Sequence, residues 1–201
     1  DELRRAAADP DRLCLVETSP KFPRTYGLEP DHVVVVLVGT AAAVLAAQCG
    51  AQVVVMGRRQ DRADRVAALC SHSFGAELTG IKGDVNDHKA EQLATADVVL
   101  GTAKAGVQVM DGGLVVAATN LKVAADLNAV PPAGIEGIGM QDDGSPLAAS
   151  TSGAVGIGAL AIGDIKYKTQ HQLLVQMRQS EQPLHLHFEH ALELARKLVQ
   201  E

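Results

Sequence analysis

With 201 residues, 47% of them hydrophobic, the chain can bury one good core and part of a second, but hardly two complete α/β domains. A formal charge of −6 from interspersed acidic and basic residues, and 2% aromatic residues with no Trp, argue against nucleic acid or an anionic membrane as the main partner. Cys14, Cys49 and Cys70 are scattered and odd in number, so neither a disulfide framework nor a metal knuckle is indicated and a reduced cytoplasm is expected; no signal peptide appears, and the apolar run 153–163 is too short to span a bilayer.

Residues 1–8 look helical and charged and 13–16 read as a short strand, after which Pro20, Pro23, Gly27 and Pro30 forbid regular structure. Residues 1–30 are accordingly expected to be the remnant or edge of another α/β domain plus a linker. Residues 33–38 (VVVVLV) have no polar interruption, as in a strand covered on both faces of a parallel sheet. The chain must turn at Gly39-Thr40. An Ala-rich helix over 41–49 is ended by Gly50, and 53–56 begin a second strand. In such a βαβ unit the ligand lies beyond the carboxyl ends of the strands, so Gly39-Thr40 and Gly57-Arg58-Arg59 are expected to line one crevice.

Further on, Ala63, Val66, Ala67 and Leu69-Cys70 recur at helical spacing within 61–73. A strand is expected at 77–82, a helix at 86–94, and a strand at 96–101 that opens into the small-residue turn 102–106. Residues 107–110 are positioned to start a helix that Gly112-Gly113 interrupts, with a further apolar segment at 114–118. The next strand, 121–125, ends at Asp126-Leu127-Asn128. In the loop 128–138, tandem prolines stiffen the backbone and glycines permit close approach, which suits either a pocket wall or a plain surface connection. The glycines of 153–163 suit a helix or turn pressed against another backbone or a ligand. A helix over 166–177 would turn Ile165, Leu173, Leu174 and Met177 inward, and 188–199 would form a terminal amphipathic helix.

The repeated alternation of strand and helix predicts an α/β fold with a Rossmann-like, doubly wound parallel sheet, and its expected ligand is a dinucleotide. The glycine signature is partial, because Ala41-Ala42-Ala43 follow Gly39-Thr40 where a dinucleotide fingerprint would carry further glycines. Arg58 and Arg59 stand where an acidic residue would bind the ribose 2′-hydroxyl of NAD. Two guanidinium groups there suit a 2′-phosphate, which favours NADP; a solvated pair at a helix start, facing Asp61 and Asp64, is the alternative. His185, His187 and His190 lack a companion ligand set and are expected to be solvated surface residues, with no metal site. Lys166 and Lys168 alternate after the glycine segment, so that one of them can point into a cleft, unless both are ordinary lysines at a helix start.

Three stretches, 34–59, 121–138 (LKVAADLNAVPPAGIEGI) and 153–168 (GAVGIGALAIGDIKYK), together with 96–109, resemble the NADP-dependent methylene-tetrahydromethanopterin dehydrogenases, a family that includes enzymes using methylene-tetrahydrofolate. The resemblance implies a Rossmann-type NADP domain at 31–165, C-terminal helices at 166–201 that close the cleft, and a separate pterin-side domain of which 1–30 are a remnant. It implies reversible hydride transfer between the methylene pterin and NADP in a homo-oligomeric enzyme. Carried onto matching positions, it places Gly39, Thr40, Thr102, Ala103 and Gly106 on the cofactor and Arg58 and Arg59 on its 2′-phosphate. Asn128 and Pro131 would form the pocket floor, and Lys166 or Lys168 would face the cleft as the catalytic group. The family's Gly-Pro-Val-Gly type turn is missing after Gly39-Thr40, while Asp164 and Gln170 replace its Gly and His; either the chain is a degenerate relative or segments of the protein are omitted from these 201 residues, and omission is the favoured expectation. A non-catalytic NADP-binding or regulatory module, and a dehydrogenase of the shikimate type with a Lys-Asp pair, remain as alternatives.

Overall fold

The computed structural model describes residues 33–199 except 38–39, 58, 76–77, 83–88 and 183. The segment 1–30, Gly39 and Arg58 therefore lie outside the described residues. In chain order the elements are β1 (Val33–Leu37), α1 (Thr40–Gln48), β2 (Gln52–Gly57), α2 (Gln60–Phe74), β3 (Leu78–Lys82), α3 (Lys89–Thr95), β4 (Val98–Gly101), α4 (Gly112–Ala117), β5 (Val123–Asp126), β6 (Asp143–Pro146), β7 (Val155–Ile157), α5 (Ala159–Gln179) and α6 (Phe188–Leu198).

The strands form one seven-stranded sheet in the order β3-β2-β1-β4-β5-β7-β6. Every pairing is parallel except that of β6 with β7, which is antiparallel. β1 lies at the centre of the reversal, with Val34 opposite Val53 on one side and Val98 on the other. Because side chains alternate along a strand, each strand contributes to two cores. Val53, Val55, Val98, Val123 and Ala125 pack with Ala43 and Ala46 of α1 and Ile162 of α5. Met56, Val99 and Ala124 pack on the opposite face with Leu93 of α3 and Val115 of α4. Both faces are thus covered by helices, which is why the strands read as unbroken apolar runs.

α2 buries Ala63, Ala67 and Cys70 at helical spacing and ends at Gly75 in the left-handed conformation, φ 63°. Cys70 and Val44 form a third small core flanked by Phe74 and Phe188, whose rings meet edge to face at 5.1 Å. α6 begins with a capping box made by two histidines: Glu189 N–H donates to His187 Nδ1 at 3.4 Å, and His187 N–H donates to His190 Nδ1 at 3.2 Å. No helix among the described residues is long and apolar enough to cross a membrane.

Three local expectations are corrected. Residues 107–109 are irregular instead of helical, because Met110 is drawn into a parallel bridge with Ile135; α4 starts only at Gly112, where Asp111 caps it by accepting from Leu114 N–H at 2.9 Å. The glycine run 153–163, expected as one helix or turn, divides between β7 and the start of α5, while its expected press against another backbone holds at Gly158, where an added Cβ would strike the Gly139 and Met140 backbone; β6, the sheet partner of β7, has the sequence DGSP, which carries no strand propensity and sits as an irregular edge. Finally, Leu174 and Met177 are 65% and 47% exposed instead of inward. α5 has 21 residues and β7 only three, so the helix outruns the sheet; Ile162, Ile165 and Thr169, none of them beyond its midpoint, are its buried residues.

Candidate functional site

The order of the sheet fixes where a ligand can lie. β1 and β4 are neighbours, yet the chain leaves β1 towards β2 on one side and β4 towards β5 on the other. The connections diverge there and leave a crevice outside the carboxyl ends of the two strands. Thr40 is the half-buried first residue of α1 on one side of it, and Thr102, 8% exposed, follows β4 on the other. Arg59 follows β2 and is exposed. Its guanidinium makes a forked pair with the Asp61 carboxylate, Nε to Oδ1 at 2.9 Å and Nη2 to Oδ2 at 2.6 Å, and Asp61 raises its pKa through that hydrogen bond first and through its charge second.

The turn after β4 and the loop after β5 are built as one unit. Val107 N–H donates to Lys104 C=O at 3.1 Å, closing a turn in which Gly106 takes φ 76°. Asn128, 8% exposed, reaches this turn from the other loop: its Oδ1 accepts from Gly106 N–H at 3.1 Å and from Val130 N–H at 3.0 Å, while its Nδ2 donates to Pro132 C=O at 2.6 Å. The Pro131-Pro132 bond within that loop is cis, and Pro131 itself is exposed. Asp126, the last residue of β5 and 2% exposed, accepts Asn128 N–H on Oδ1 and Ile135 N–H on Oδ2, both at 3.0 Å. The loop therefore returns to its starting point and seats Ile135 against Gly101, where an added Cβ would stand 3.2 Å from the Ile135 side chain. Val109 and Met110 N–H both donate to Gly134 C=O, and Glu136 Oε2 accepts Gly112 N–H at 2.9 Å, which extends the lacing to the start of α4.

The fold thus brings together Thr40, Thr102, Ala103, Gly106, Asn128 and Pro131 on the strand-end side of the sheet. Lys166 and Lys168 stand apart on α5. Lys166 is half-buried; Lys168 is exposed and pairs with Asp164 one turn earlier at 2.7 Å. Asp126 and Glu136 also belong to the strand-end group, although neither is among the residues expected from the sequence. Their signal was local: an Asp-Leu-Asn step past a strand and a Glu set among glycines, both of which place a carboxylate beside backbone N–H groups. Among the described residues no three His, Cys, Asp or Glu side chains group to hold a metal ion.

This sheet order and strand-end crevice define a Rossmann-like α/β fold. A shikimate 5-dehydrogenase from Mycobacterium fortuitum superposes with a TM-score of 0.51 over 89% of this chain and 60% of its own, at 19% identity. No protein-family model matches the chain. It is 38% identical over 160 residues, 79% of its length, to the NAD(P)-dependent methylenetetrahydromethanopterin dehydrogenase of Methylorubrum extorquens, and 29% identical over 131 residues to bifunctional protein MdtA of the same organism. The chain is a homologue of the first of these over most of its length. It spans about half the length of the curated relatives it matches, 53% and 44% respectively.

Proposed function

We propose that the chain is the NADP-binding part of a dehydrogenase that moves a hydride between methylene-tetrahydromethanopterin, or methylene-tetrahydrofolate, and NADP, giving the methenyl form. The observation that carries this reading is the 38% identity to a dehydrogenase of that name across 79% of the chain. The crevice supports a dinucleotide: a parallel sheet reverses its strand order there, and the small residues Ala103 and Gly106 leave room for backbone to approach a ligand. The preference for NADP rests on Arg58 and Arg59, whose guanidinium groups suit a 2′-phosphate.

NADP, when bound, supplies the hydride acceptor. The pterin nitrogen beside the methylene carbon stabilises the cation left behind, so the side chains have little covalent work and chiefly hold two ligands in register. Thr40 and Thr102 would flank the cofactor, and the 102–106 turn and the 128–138 loop would form the wall at β4 and β5; Lys166 and Lys168 stand apart from this group on α5, and the family resemblance assigns one of them to the cleft. The pterin-side domain of a two-domain, homo-oligomeric enzyme completes the second wall, with residues 1–30 its edge and residues 166–201 closing the cleft.

The test is direct. Purified protein mixed with NADP and each methylene pterin in turn is followed at the NADPH absorbance band. Growth of absorbance with one pterin is expected. Tight NADP binding by calorimetry without turnover of either pterin in a full-length chain would instead leave a nucleotide-binding module.

A further inference from the structure

Two backbone turns face each other at the strand ends, and one carboxamide ties them together. The three hydrogen bonds of Asn128 occupy both lone pairs of Oδ1 and one of the two Nδ2 hydrogens, so its partners fix its orientation. That side chain is set in turn by Asp126. Both oxygens of the buried carboxylate accept backbone N–H groups, one from Asn128 itself and one from Ile135 at the far end of the same loop. Asp126 makes neither of these bonds to the 102–106 turn. Its hold on that turn runs through Asn128.

We infer that Asp126 is a positioning residue for hydride transfer: by fixing Asn128 it holds the Gly106 turn against the 128–135 loop at the nicotinamide side of the crevice. The inference rests on the function proposed above. With Arg59, beyond β2, on the side proposed for a 2′-phosphate-bearing ribose, the other nucleotide would lie over β4 and β5, where the two turns meet. Charge-assisted bonds to two N–H groups make the carboxylate a stiff anchor. In Asp126→Asn one oxygen becomes an NH2 group, which confronts an N–H donor and leaves it without an acceptor. The loop and the Gly106 turn are then released together.

The consequence is kinetic. A displacement of about 1 Å at a reacting centre lowers the rate on the order of 100-fold, while contacts to the remote adenosine half are untouched.

The experiment uses the full chain as wild type, Asp126→Asn and Asn128→Ala. It reads amide exchange at Gly106 and Ile135 by NMR, kcat and the NADP KM with the active pterin, and the deuterium isotope effect on a methylene-deuterated pterin. In Asp126→Asn, Gly106 exchange is expected to rise about tenfold or more although Asp126 does not bond to it, kcat to fall about tenfold or more, the NADP KM to change less than about threefold, and the isotope effect to increase. Faster exchange at Ile135 with unchanged Gly106 would overturn the inference, as would activity lost only in proportion to the folded fraction with an unchanged isotope effect. If Asp126→Asn does not fold, Asn128→Ala, which removes the carboxamide and keeps the carboxylate, must show the same kcat loss and isotope effect; normal kcat in that variant overturns the inference. Wild-type protein inactive with both pterins would sink the proposed function and the kinetic claim with it, and the exchange at Gly106 would still decide whether Asp126 sets that turn.

Discussion

Gly134 and Asp126 stand so close that a methyl group on Gly134 would lie 2.5 Å from Asp126 Oδ1. The carboxylate cannot move aside, because its two oxygens are committed to the N–H groups of Asn128 and Ile135. Gly134→Ala is therefore expected to destabilise the fold by about 2 kcal/mol, the usual cost of forcing extra volume into a packed site. Urea denaturation checks it: the midpoint should fall with the slope unchanged. The combination with Asp126→Ala should cost less than the sum of the two single changes, since the clash disappears with the carboxylate.

Arg59 is exposed and already forked onto Asp61, so its guanidinium is held at the end of β2 before any ligand arrives. Arg59→Ala is expected to weaken NADP about tenfold or more, the worth of one charge-assisted contact, and NAD by much less. Calorimetric titration with both cofactors distinguishes the outcomes. Equal losses for the two would remove Arg59 from the 2′-phosphate.

The two lysines of α5 differ in setting. Lys168 is exposed and paired with Asp164, whereas Lys166 is half-buried on the turn between Ile165 and Thr169. Lys166→Met is expected to lower kcat about 100-fold with the NADP KM little changed, and Lys168→Met to lower it less than about threefold. Steady-state rates with saturating NADP decide the matter. Wild-type rates in both variants would remove the lysines from the reaction.

Burial between α1 and α2 pushes the Cys70 thiol up to about 11 from its ordinary 9.0. The folded state therefore keeps the proton that the unfolded state releases first. The stability associated with the neutral thiol is intact below pH 9 and is lost as the pH rises through about 11. Urea midpoints measured from about pH 8 to about pH 10.5 should fall more steeply for the wild-type protein than for Cys70→Ala. Parallel profiles would sink the assignment.

Much of the fold was legible because its signals are local. The apolar run of β1, the glycine that ends α1, and the helical spacing of Ala63, Ala67 and Cys70 are signals carried by short stretches of the chain. β6 was illegible, since DGSP becomes a strand only through its pairing with β7. The segment 107–110 misled because its apolar residues fit a helix as well as they fit the bridge that Met110 makes with Ile135. Leu174 and Met177 misled in the same way: helical spacing shows which residues share a face, and the neighbours decide whether that face is covered.

By itself the sequence determined the class of fold, the resemblance to the methylenetetrahydromethanopterin dehydrogenases, and the loop 128–138 as a rigid segment with small residues. Only the tertiary structure decided that β4, and not β3, lies beside β1, which puts Thr40 and Thr102 across one crevice. It also decided that Asn128 closes on Gly106, 22 residues away, under the control of Asp126. The reason is range. Propensity and period act over a few neighbouring residues, whereas strand order and a carboxamide's partners are fixed only when distant segments pack and every buried polar group must find its match.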